Sequence, residues 1–192
     1  MKSIKMAMAI YAYLVCISLV TFNAQAEVTP ELMRSSVVVV AQPEFSLTSL
    51  KSFSWADNHA DISAGLQKSS FSVSALIDEA IVQAISKKAY PMEQGPKSSM
   101  MIQYHVSLAS EMSDTALTLK YGLSPGLRGN SIEAKSREKG VLIVDLIDTQ
   151  LNNVVWRGAV EVFTGIEDTD NGRQQRVNGL LVELFSSIPD LK

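Results

Sequence analysis

The chain of 192 residues carries 17 basic and 20 acidic side chains, a net charge of −3. That mildly acidic balance excludes a general nucleic-acid binder, which would be strongly basic, and no nucleic-acid partner is expected. The single cysteine, Cys16, lies in an apolar leader. Once that leader is removed, disulfides, cysteine metal sites and cysteine nucleophiles are all excluded, and hydrophobic burial must hold the fold.

The leader opens with Lys2 and Lys5, continues as an apolar stretch from Met6 to Phe22, and closes on Ala24-Gln25-Ala26. This is the pattern of a secretory signal peptide over residues 1–26, cut after Ala26, and it predicts an exported, periplasmic protein. A retained anchor would need about 17 or more apolar residues. Ser18, Thr21, the Ala-x-Ala ending and the absence of a following basic segment favour cleavage, with no stable membrane span afterwards. Lipoprotein signals usually place a small residue before the cysteine, whereas Val15 stands there, so a lipid-anchored form is disfavoured. Residues 27–192 then suit one domain, with a core over 37–189.

Val37-Val38-Val39-Val40 reads as a short strand covered on both faces and ended by Pro43. Phe53 and Trp55 share a strand face, and the polar stretch from Asp57 to Ser70 reads as a loop. Ser72 or Ser74 can cap a helix whose Val73, Leu76, Ile77, Ala80, Ile81, Ala84 and Ile85 keep the spacing of one buried face. Lys87 and Lys88 suit its C-terminal dipole, and Pro91 prevents its continuation.

From Met100, the alternation through Ile102, Tyr104, Val106 and Leu108 predicts a half-buried strand that sets His105 on the wetter face. Thr115 to Tyr121 is expected to form another strand. Gly122 to Lys139 is irregular, with Lys120, Arg128, Lys135, Arg137 and Lys139 outnumbering Glu133 and Glu138 between Lys120 and Lys139. Those five cations are the candidate contact for an anionic partner such as lipid head groups or cell-wall polymer. Without interleaved aromatics they also fit a solvated loop.

The segment Gly140 to Phe163 organises the chain. Val141–Asp148 and Val154–Phe163 flank a polar turn and predict an antiparallel hairpin, with Trp156, Gly158 and Val160 on the buried face. Trp156 is the expected core anchor, and Arg157 faces Asp145 or Asp148 as an exposed cross-strand pair worth up to about 1 kcal/mol. Glu167-Asp168-Thr169-Asp170-Asn171-Gly172 lacks the ligand spacing of a calcium loop. It reads as a turn leading to a helix capped near Asp170 or Asn171, with Val177, Leu180, Leu181, Leu184, Phe185 and Ile188 at core spacing until Pro189. The expected fold is α+β, an antiparallel sheet of about five to six strands with two amphipathic helices packed on one face.

Several of these pieces occur together in a known arrangement. Phe45 to Trp55, Lys88-Ala89-Tyr90, Ile102 to Val106, Leu142 to Asp148, Val155-Trp156-Arg157-Gly158 and Ile188-Pro189 resemble, in that order, a bacterial envelope family catalogued as domain of unknown function number 4136. The resemblance runs from about Val37 to Pro189. It implies an exported protein; many members are lipoproteins, and the lack of a proper lipid-attachment cysteine is where this chain departs. No activity, cofactor or site residue comes with it.

No nucleophile elbow or histidine pair accompanies His59 and His105, so no catalytic, cofactor-binding or metal residues are assigned and no cofactor is expected. The expected role is a non-catalytic binding or envelope-assembly module whose partner is an envelope protein, a lipid or a glycan. The alternative is a hydrolase acting on envelope material through carboxylates, which needs two carboxyl groups at a set distance. An exposed apolar cleft would favour a ligand binder, and a flat apolar patch a protein partner.

Overall fold

A computed structural model describes residues 29–43, 45–46, 50–69, 71–94 and 98–191. The leader, its cleavage point and Cys16 lie outside the described residues. Five strands form one sheet: β1 (Ser35–Ala41), β2 (Phe53–Ile62), β3 (Met100–Leu108), β4 (Lys139–Asp148) and β5 (Asn153–Phe163), in the order β1-β5-β4-β3-β2. All neighbours are antiparallel except β2 and β3, which run parallel. The parallel pair arises because the chain between them carries α1 (Ala64–Gln67) and α2 (Val73–Lys87), a crossover that returns it to the starting end of the sheet.

The hairpin has the expected alternation. Leu142, Val144 and Leu146 enter the main core with Trp156 and Val160, while Val141, Ile143 and Ala159 enter a second cluster on the other face. Between the pairs Leu146↔Trp156 and Ile147↔Val154 the register shifts, and the extra residue Val155 joins Trp156 in the main core. Trp156 is 1% exposed, stacks on Phe185 at 5.5 Å and donates from Nε1 to Ser187 Oγ at 3.3 Å.

One face is covered by α2 and α5 (Asp170–Leu184), as the two apolar stripes predict. Ser72 caps α2 by accepting from Ala75 N, and Thr169, rather than Asp170 or Asn171, caps α5 by accepting from Gly172 N. A 3-10 turn over Phe185–Ser187 prolongs α5 toward Pro189.

The opposite face is not wet. Two short helices, α3 (Asp114–Tyr121) and α4 (Ile132–Ser136), lie there, so five α-helices accompany the sheet among the described residues instead of two. The expected strand at Thr115–Tyr121 is α3: Ser113 caps it by accepting from Ala116 N, and Leu117 enters the second cluster. Gly122 ends it at φ 78°, a left-handed conformation that costs glycine little, and donates its N–H to Thr118 O at 2.9 Å. The irregular segment beyond is fastened down, with Leu127 and Ala134 packed on Phe163 and Leu32. Leu127 N donates to the buried Glu161 carboxylate at 2.7 Å.

Two further expectations change. Asp57 to Ile62 continues β2 instead of opening a loop, because an edge strand can carry polar side chains outward while its backbone pairs on one side. Val37–Val40 belongs to the other edge strand, half-buried, with Val40 51% exposed.

Candidate ligand-binding cleft

At one end of the molecule α2, α5 and the sheet do not close on one another. Val106 of β3, Leu142 of β4 and Val160 and Val162 of β5 form a floor. Leu76 and Ile77 of α2 and Val177, Leu180 and Leu181 of α5 form the walls. The helical stripe that packs the core is therefore also the stripe that lines a cavity of about 230 Å³. Leu66, Phe71, Val73, Leu76, Val162, Val177 and Leu180 remain half-buried there. Such apolar area left in contact with solvent is costly by about 25 cal/mol per Å², so covering it with a ligand stabilises the complex.

Polar groups gather only at the rim. The Arg173 guanidinium lies 4.7 Å from the centre of the Phe71 ring, donates to Glu167 O at 3.1 Å and pairs with the exposed Asp170 carboxylate. Arg176 pairs with Glu167, both largely buried, and donates to Leu32 O at 3.3 Å. An apolar interior with a few fixed polar groups at the mouth is the construction of a small-molecule site. About 150 Å³ suffices for a benzene-sized ligand.

The candidate residues read from sequence lie elsewhere. Arg157 grips Asp145 through two hydrogen bonds of 2.5 Å and donates to Tyr121 O at 2.7 Å. Donating these hydrogen bonds to the Asp145 carboxylate raises the Arg157 pKa above its ordinary value. With side chains only 21% and 15% exposed, the pair is part of the α3-to-sheet packing rather than a solvent-facing bridge. Asp148 instead accepts from the N–H groups of Gln150 and Leu151, shaping the hairpin turn.

Three of the five cations are held by neighbouring groups. Lys139 is bonded to Glu161 and to Leu127 O, and Arg137 donates to Gly165 O at 3.0 Å. Lys120 sits over the Tyr121 ring at 5.0 Å. Arg128 and Lys135 are exposed and have no side-chain partner among the described residues.

Neither histidine has the expected setting. His105 is 9% exposed because α3 covers its face of the sheet; its Nδ1 lies 2.8 Å from Asp61, and its ring meets Tyr121. His59 is on β2, stacked on Trp55 at 4.3 Å, with Nε2 3.3 Å from Asp78. Asp78 also accepts from the Tyr104 hydroxyl at 2.6 Å. Burial first, and then this carboxylate, push the Tyr104 hydroxyl far above the usual phenol range. Among the described residues no three His, Cys, Asp or Glu side chains converge as a metal ion would require. No helix there is long and apolar enough to cross a membrane.

The cleft was not singled out in the sequence. Val177 and Leu180 carry the same spacing as the packed Leu181 and Leu184, and nothing local distinguishes a wall from a core contact.

Residues 37–189 match the family described as Domain of unknown function (DUF4136). No curated protein matches the chain. Among solved structures, a DUF4136 family protein from Bacteroides thetaiotaomicron is 14% identical, with a TM-score of 0.51 over 82% of this chain and 97% of that one. A PDZ domain protein from Parabacteroides distasonis is 13% identical, with a TM-score of 0.52 over 83% of this chain and 36% of the other. A PelC dodecamer from Paraburkholderia phytofirmans is 7% identical, with a TM-score of 0.48 over 83% and 99% of the two chains. At these identities the first two likenesses are likenesses of fold.

Proposed function

The chain belongs to the DUF4136 family, and on that footing we propose that it is an exported, non-catalytic binding module of the bacterial envelope that holds an apolar ligand between α2 and α5. The cleft carries this reading, because half-buried apolar walls converge there around a cavity of about 230 Å³. The secretory pattern of residues 1–26 supports the compartment. The disposition of the acids supports a role without catalysis: Asp145, Glu161 and Glu167 are each engaged by a basic side chain, Arg157, Lys139 and Arg176.

The test uses the neutral dye N-phenyl-1-naphthylamine, whose fluorescence rises in apolar surroundings. Saturable binding at one site is expected, and Val177→Phe, which fills the cleft, should weaken it about tenfold. Unsaturable dye uptake, or equal affinity in the variant, would remove the cleft as the site. N-terminal sequencing of protein from the periplasmic fraction should begin at Glu27; an intact leader in the cytosol would contradict the compartment.

A further inference from the structure

Resting on that reading of the cleft, we infer that its ligand is a single-chain amphiphile whose alkyl tail fills the cavity and whose anionic head binds Arg173. The cavity floor and walls are hydrocarbon from Val106, Leu142 and Val160 to Leu76, Val177 and Leu180, so a polar body would lose its hydration without replacement there. A slender tail avoids that loss, and its head must sit where polar groups begin. That place is the rim formed by Phe71, Glu167, Arg173 and Arg176.

The two rim arginines differ. Arg176 and Glu167 have side chains 11% and 16% exposed, a closed pair that an incoming head would have to break. Arg173 is paired with Asp170, whose side chain is 89% exposed and loses little by returning to water. Its guanidinium is at the same time fixed in place by the Phe71 ring and by Glu167 O. Arg173 is therefore a positioned cation with an exchangeable partner, and a carboxylate or phosphate head can take the place of Asp170 on the guanidinium. A cationic head would meet Arg173 and Arg176 together, and a neutral head would gain nothing from displacing Asp170.

The experiment displaces N-phenyl-1-naphthylamine from the mature chain with dodecanoate, dodecyl phosphate and dodecanol, which share a tail and differ in head. Arg173→Gln should cost dodecanoate about three- to tenfold more than it costs dodecanol. Asp170→Asn, which removes the competing carboxylate, should tighten dodecanoate severalfold while leaving dodecanol within about twofold. Whichever of dodecanoate and dodecyl phosphate loses more in Arg173→Gln identifies the head. Dye binding without any head-dependent response to either variant would overturn this inference and leave the apolar cleft standing. Failure of the dye to bind at all would remove both. Dye affinity that falls as protein concentration rises would place a second copy of the chain in the cleft and overturn the amphiphile.

Discussion

Lys139 Nζ lies 2.5 Å from Glu161 Oε1, and the Glu161 side chain is 1% exposed. The carboxylate also accepts from Leu127 N, and Lys139 donates to Leu127 O, so one ion pair fastens the irregular segment to β4 and β5. Lys139→Met leaves a buried carboxylate without its counter-charge and should cost about 3 to 5 kcal/mol. The double variant Lys139→Met, Glu161→Leu should recover much of that loss in urea unfolding, because the stranded charge is gone. A double-variant loss equal to the sum of the losses in Lys139→Met and Glu161→Leu taken singly would show that the pair is not coupled.

Gly158 is a point of close approach on β5. A Cβ there would lie 2.5 Å from Trp156 Cη2 and 2.7 Å from Leu184 Cδ1. Gly158→Ala should destabilise by about 1 to 3 kcal/mol through overpacking between sheet and α5. The urea midpoint should fall with the slope of the transition unchanged.

Trp156→Ala removes the largest fully buried side chain and should cost about 3 to 5 kcal/mol. Its stacking on Phe185 gives a second readout, since the near-ultraviolet dichroism of the folded protein should lose intensity even where folding is retained. An unchanged unfolding midpoint would contradict its place as core anchor.

Acid sensitivity follows from two hydrogen-bonded carboxylates, the half-buried Glu31 and the exposed Glu111. Glu31 is held below the usual 4.5 by hydrogen bonds from Asn130 N and Ser131, and Glu111 by those from Ser63 Oγ and Gly65 N. A group whose folded pKa is depressed binds fewer protons folded than unfolded, so its contribution is full above 4.5 and is lost as pH falls through the lowered folded value. Glu111→Gln should therefore be less stable than the parent at neutral pH and converge with it below that window. Parallel stability curves for the two proteins across the acid range would refute the assignment.

The hairpin and α2 were legible because their side chains obey one period: two for Leu142, Val144 and Leu146, three-then-four for Ile77, Ala80, Ile81 and Ala84. The segment Thr115 to Tyr121 obeys both. Leu117, Leu119 and Tyr121 alternate as in a strand, while Leu117 and Tyr121 also stand one helical turn apart, and the 83% exposure of Leu119 shows which period governs. The start of β2 shows in Phe53 and Trp55, but its continuation does not, because Asp57, Asn58, His59 and Asp61 are polar, and the partners that accommodate them, Asp78 and His105, come from elements far along the chain. The cleft was beyond reach for a related reason. Whether Leu180 touches a neighbour or a void depends on how two helices meet the sheet, and no single segment encodes that.

The first of the described strands is the last to be seated. Among the described residues β1 pairs only with β5, so during synthesis Val37 to Val40 must wait, without that partner, until nearly the whole chain has emerged. A valine-rich edge in that condition is a template for pairing with the wrong chain. The nascent polypeptide consequently has its greatest need of a holding chaperone between the emergence of Ala41 and that of Phe163, and truncations ending within that interval should aggregate.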